Sequence, residues 1–139
     1  MQLDLSHNQL CGLYALGRGR ACINGTYTTE GITAIVNSLR VNRSLTHLSL
    51  GDNHLGDDGV EALSVGIEQS KSLRMLDLSN KDYRSVKFGL KGVTALAKAL
   101  AVNGSLTECD LQGNNGLGKK GTTMLRNAVQ GKAGFQLHL

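Results

Sequence analysis

The sequence predicts an α/β solenoid, in which short strands and helices alternate along a stack of similar units. Three stretches, Leu45 to Leu63, Leu73 to Leu96 and Leu106 to Leu125, can be laid over one another. Each opens Leu-x-x-Leu-x-Leu, with Cys109 in place of the middle leucine in the last, and later reaches Gly-x-x-x-Leu. The units start at Leu45, Leu73 and Leu106, so they are 28 and 33 residues long. At such a period no unit buries its own apolar face, and neighbours must stack.

The first part of each unit alternates. Leu48 and Leu50 therefore face a core while His47 and Ser49 point outward. Strands are expected near Leu3–Leu5, Leu48–Leu50, Leu76–Leu78, Cys109–Leu111 and Leu137–Leu139. The last of these alternates as Phe135, Leu137 and Leu139, one residue short of the earlier pattern. The second part of each unit changes period. Ile32, Ile35, Val36 and Leu39 form one apolar stripe at helical spacing, Val60, Leu63 and Ile67 a second, and Val93, Leu96 and Leu100 a third. Gly31, Gly59, Gly92 and Gly121 are expected just before the helices, and Asn42 and Asn103 at helix ends in the left-handed conformation.

The segments LTHLSLGDNHLGDDGVEALSVGI, LRMLDL with GVTALAKAL, and LTECDLQGNNGLGKKGTTMLRNAV resemble the leucine-rich repeat of ribonuclease-inhibitor type. MQLDLSHNQL and GITAIVNSLRVNRS resemble one further repeat split by an insertion. The resemblance covers nearly the whole chain. It implies one domain over residues 1–139, of about four repeats, with parallel strands on the concave side and helices on the convex side. It also implies that Asn8, Asn53 and Asn114 bond inward to neighbouring backbone, and that Lys81 interrupts this ladder in the repeat starting at Leu73. Met1 falls inside a strand, so the first repeat has no predecessor. The expectation is the C-terminal part of a longer array, or a subunit whose open end another chain covers.

No run of ~20 apolar residues suggests a membrane span, and the N-terminus does not read as a signal peptide. Cys11, Cys22 and Cys109 are an odd set without a disulfide pattern, and Cys109 falls on a core position, so an intracellular, cytoplasmic setting is expected. The net charge is +4, yet the exposed strand positions carry Asp4, Asp77, Glu108 and Asp110 beside Ser49, Met75, His47 and His138, with no Lys or Arg. An acidic concave face repels nucleic acid and leaves it only the edges. Asp77 and Asp110 hold one position on neighbouring strands about 4.8 Å apart. Carboxylates that close call for a cation, which a basic partner supplies.

Two insertions fall between strand and helix, near residues 11–29 and 81–87. In a solenoid both lie on one edge, roughly 10 Å apart. They bring Tyr14, Arg18, Arg20, Tyr27, Tyr83 and Arg84 there, with Lys119 and Lys120 in the matching turn of the fourth repeat. Tyr and Arg often anchor interfaces. The run from Gly113 to Gly118 and Lys119 has the spacing of a phosphate loop, but Lys120 stands where Ser or Thr would hold magnesium. The four histidines lack zinc-site spacing, and neither a catalytic group nor a cofactor site is expected.

The leading expectation is a non-enzymatic protein-binding module, scaffold or structural subunit. Its contacts are expected at the loop edge or at the concave residues Asp4, His47, Asp77, Glu108, Asp110 and His138. Two alternatives stand beside it: a regulator of a small GTPase, as the resemblance extends to Ran GTPase-activating proteins, and binding of nucleic acid or an anionic ligand at the basic edge.

Overall fold

A computed structural model describes residues 1–16, 22–82 and 86–139. Five strands, β1 (Gln2–Asp4), β4 (His47–Ser49), β5 (Met75–Asp77), β6 (Glu108–Asp110) and β7 (Gln136–His138), form one parallel sheet in that order. Each pairs one residue earlier than the alternation suggests. The leucine that follows still bonds across: the N–H groups of Leu50, Leu78 and Leu111 donate to Asp77, Asp110 and His138, each at 2.8 Å. The last strand stays in step, with Leu137 opposite Cys109.

Between the strands run four helices, α1 (Glu30–Val41), α2 (Gly56–Gln69), α3 (Leu90–Val102) and α4 (Gly118–Val129). Each packs against its neighbours in the series. The core lies between the two layers. Leu48, Leu76 and Cys109 from the sheet meet Ile32, Leu63, Leu96 and Leu125 from the helices, all of them buried. Burying one such leucine contributes about 1.5–3 kcal/mol. On β1, Leu3 is exposed where its equivalents Leu48 and Leu76 are buried.

Two expectations need correction. The glycines lie inside the first turn of the helices, not before them, where the helix passes close to a preceding segment of chain. A Cβ on Gly59 would stand 3.1 Å from the Tyr27 hydroxyl, and one on Gly31 would stand 2.6 Å from the Leu10 carbonyl. Asn42 and Asn103 are extended, with φ of −70° and −65°, and not left-handed. Their side chains explain the choice. Asn103 Oδ1 accepts from the N–H groups of Ser105 and Leu106, while its Nδ2 donates to the carbonyls of Ile67 and Ser70 in the previous repeat. Asn42 Oδ1 likewise accepts from Ser44 and Leu45. A side chain that replaces a backbone turn makes a left-handed residue unnecessary.

The asparagine ladder forms at Asn53 and Asn114 as the resemblance implies, whereas Asn8 is exposed. Asn53 Nδ2 donates to the carbonyls of Leu5 and Leu50, and Asn114 Nδ2 to those of Leu78 and Leu111. Asn8 bonds to the carbonyls of Leu5 and Ser6. The residue before each is left-handed: His7 and Asp52 at φ 55° and Gly113 at φ 80°. In the interrupted repeat Asn80 is not. Asn80 turns inward instead and Lys81 is exposed.

Candidate functional site

The first insertion opens as a hairpin. β2 (Leu13–Leu16) pairs antiparallel with β3 (Cys22–Gly25). Gly12 starts it at φ 71°, where a Cβ would meet the Thr26 carbonyl at 2.4 Å, so only glycine fits. Two residues fasten the hairpin to the second repeat. Cys11 is fully buried, and burial raises its thiol pKa. The Tyr27 hydroxyl donates to the Leu55 carbonyl at the start of α2, and burial, with the Cys11 thiol beside it, pushes the phenol up to about 12. Tyr27, expected on the binding edge, is therefore half-buried and structural. Tyr14 on β2 is exposed.

The second insertion leans the other way, onto the same turn. The Asp82 N–H donates to Asp52 Oδ1 at 2.8 Å, and the Val86 N–H donates to His54 Nδ1 at 3.0 Å. Phe88 roots it in the core, 2% exposed. The two insertions thus flank the uninserted turn of the second repeat. Between them lies a polar cleft of about 290 Å³ lined by His7, Asn8, Gln9, Tyr14, Asp52, His54 and Asp82. There the exposed His7 ring stands 3.5 Å from the Oδ2 of buried Asp52. Of these residues sequence reasoning singled out only Tyr14 for the edge. The signal was available: Ser6-His7-Asn8-Gln9-Leu10 overlays Gly51-Asp52-Asn53-His54-Leu55, which sets both turns side by side. Arg18, Arg20, Tyr83 and Arg84 lie outside the described residues.

Asp57 and Asp58 interrupt the basic edge in sequence but are engaged in space. Asp57 Oδ1 accepts from the N–H groups of Gly89 and Gly92 at 2.8 and 2.7 Å, capping α3 from the neighbouring repeat. Asp58 and Glu61 hold the Lys91 ammonium at 2.6 and 2.9 Å, and their hydrogen bonds raise its pKa. Lys119 and Lys120 are exposed in the first turn of α4, where α2 has the two acids.

On the concave face the acids are engaged both within their own repeats and across to neighbouring ones. The Oδ1 atoms of Asp4, Asp77 and Asp110 accept from the N–H two residues ahead, on Ser6, Ser79 and Gln112. Ser49 donates to Asp77 Oδ2 at 2.8 Å, and the Ser6 hydroxyl to Asp4, which lowers the Asp4 pKa. Glu108 and His138 pair at 3.2 Å, and His47 Nδ1 contacts the Thr46 hydroxyl at 2.8 Å. A groove of about 260 Å³ runs over β1, β4 and β5, lined by Asp4, His47, Met75 and Asp77 among others.

Cys109 is a free thiol and fully buried, and burial, chiefly, raises its pKa. Among the described residues no cluster of three His, Cys, Asp or Glu could hold a metal, and no helix is long and apolar enough to cross a membrane.

A leucine-rich-repeat family model matches residues 41–64. In sequence the chain is 32% identical, over 90% of its length, to the "NACHT, LRR and PYD domains-containing protein 3" of Bos taurus, of which it spans 13%. It is 36% identical, over 66% of its length, to the ribonuclease inhibitor of Mus musculus, of which it spans 19%. The chain is thus far shorter than the curated relatives it matches. In structure it is similar to the tropomodulin C-terminal domain of Caenorhabditis elegans, with TM-score 0.68 at 17% identity over 99% of this chain and 73% of that one. A leiomodin-1 structure gives TM-score 0.70 at 18% identity, over 97% of this chain and 68% of that one.

Proposed function

We propose that this chain, a leucine-rich-repeat protein of the ribonuclease-inhibitor type, binds another protein through its insertion edge. The observation that carries the reading is the convergence of two insertions over one uninserted turn, leaving a polar cleft beside exposed Tyr14. Loops on a rigid repeat scaffold commonly carry binding, because the scaffold holds them in place without ordering cost. Tyr14, Arg18, Arg20, Tyr83 and Arg84 are the anchors, with Lys119 and Lys120 extending the basic edge. The concave face positions the partner and contributes less, since its carboxylates already have donors. The ribonuclease inhibitors among the relatives act, by their name, on another protein, which supports a binding role. The buried thiols Cys11 and Cys109 support an intracellular setting.

The test is a pull-down from the native source with the tagged chain, repeated with Tyr83 and Arg84 both changed to Ala. A stoichiometric protein partner that the double variant loses supports the reading. Recovery of RNA in place of a protein, or a partner the double variant keeps at full strength, overturns it.

A further inference from the structure

Two backbone donors of the second insertion bond to side chains in the turn of the second repeat. The Asp82 N–H donates to Asp52 Oδ1 at 2.8 Å, and the Val86 N–H donates to His54 Nδ1 at 3.0 Å. The two acceptors differ in kind. A carboxylate accepts throughout the neutral range, whereas an imidazole nitrogen accepts only while it carries no proton. A backbone N–H can only donate, so His54 Nδ1 is unprotonated here. Turning the ring over would set a carbon against the Val86 N–H and leave that donor unpaired. His54 is 7% exposed, so the ring is held in place by burial.

We propose that His54 is a pH-sensitive latch on the second insertion, closed while its ring is neutral and released when Nδ1 takes a proton. The idea rests on the insertion edge as the binding surface and adds a means of controlling it. An unperturbed imidazole titrates near ~6.5, close to physiological pH. Protonation sets one N–H against another and removes the bond to Val86. The charged groups around the ring allow this. The Asp52 and Asp82 carboxylates line the same cleft, with the Tyr14 phenol and the His7 ring. The Lys87 ammonium donates to the carbonyl of Asn80, which lies with His54 around the small space on the inner side. The two carboxylates supply countercharge to an imidazolium, so the ring stays in the cleft as it lets go of Val86. Release is partial, because the Asp82 N–H keeps its carboxylate acceptor. His7 acts in the opposite sense: it stands 3.5 Å from Asp52 Oδ2, and its protonation strengthens that pair.

Nuclear magnetic resonance on the 139-residue chain tests the latch. From about pH 7.5 to about 5.5, spanning the ordinary imidazole range, the nitrogen shift of His54 Nδ1 should pass from unprotonated to protonated. Over that range the exchange protection of the Val86 amide, corrected for its intrinsic rate, should fall about tenfold, the equivalent of one lost hydrogen bond. Protection of the Asp82 amide and of Val93 in α3 should hold. His54→Asn, which tolerates the left-handed turn, should make Val86 protection independent of pH, and His7→Asn should leave the wild-type fall in place. Should the first variant not fold, the wild-type spectra decide alone. Flat Val86 protection in wild type, or an equal fall in His54→Asn, overturns the latch. Capture of the partner should be weaker at the lower pH, and equal capture at both values overturns its role in control. Failure of the insertion edge itself would show in the pull-down, with the Tyr83 and Arg84 double variant keeping its partner, and would leave these spectra as expected.

Discussion

On the concave face, Asp4, Asp77 and Asp110 each bond to backbone two residues ahead, inside their own repeat. On the insertion edge the polar contacts run between repeats. Asp57 caps the next helix, Asp52 receives the second insertion, and Tyr27 bonds across to Leu55. Acids that look alike in sequence therefore do different work. The concave acids take backbone N–H groups of their own strand ends, with side-chain links from Ser49 to Asp77 and between His138 and Glu108, whereas those on the edge take backbone N–H groups of the next repeat. Stability should accordingly be more sensitive at the edge.

The largest expected effect follows from that difference. Asp57→Ala removes the shared acceptor of two N–H groups at the start of α3 and should cost about 2–3 kcal/mol, read as a lower urea midpoint. Asp57→Asn should recover part of it. An equal loss from Asp77→Asn would break the contrast between the two regions.

Binding comes next. Replacing Tyr83 and Arg84 with Ala should leave the midpoint within about 0.5 kcal/mol of wild type. The partner's affinity should fall by about 1–2 kcal/mol or more per anchor, measured by calorimetry. Tyr14→Ala should behave in the same way, because its side chain is exposed on the hairpin.

Tyr27→Phe should cost about 1 kcal/mol at neutral pH, through the lost hydrogen bond to Leu55. Its effect should also depend on alkaline pH. The folded phenol titrates at about 12 against an ordinary 10, so the unfolded chain releases this proton first. The contribution is intact below about 10 and is lost as pH rises toward about 12. Wild type should therefore lose more stability than the Phe variant over that window. Parallel curves would show that Tyr27 is not held as described.

The smallest effect is expected on the concave face. Asp77→Asn with Asp110→Asn removes two charges but keeps the oxygens that accept from Ser79 and Gln112. Reversal to Lys would delete those acceptors and confuse charge with structure. Partner affinity should change by less than about 0.5 kcal/mol. If it collapses while the Tyr83 and Arg84 variant binds normally, the inner face is the binding surface.

Much of this was legible before any coordinates. Leu48, Leu76 and Cys109 alternate with polar neighbours, and Val60, Leu63 and Ile67 recur at helical spacing, so strands, helices and core follow from patterns only a few residues long. The stacking of repeats and the inward asparagines followed from the period and from the resemblance built on it. What the chain could not reveal residue by residue was the state of its polar groups. Tyr27 looked like an interface anchor and is half-buried; Asn103 looked like a left-handed helix end and is an extended bridge to the preceding repeat. Asp57, at the position of Lys119 in the fourth repeat, is a helix cap.

The sequence by itself determined the repeat, the parallel sheet with its helical backing, and the edge on which both insertions fall. Tertiary structure alone decided which polar side chains are spent within the fold. The physical reason is range. Apolar periodicity is written in neighbours three or four residues apart, whereas Tyr27 meets Leu55 and Asn103 meets Ile67 across 28 and 36 residues. Those pairings exist only once one repeat has been laid against the next.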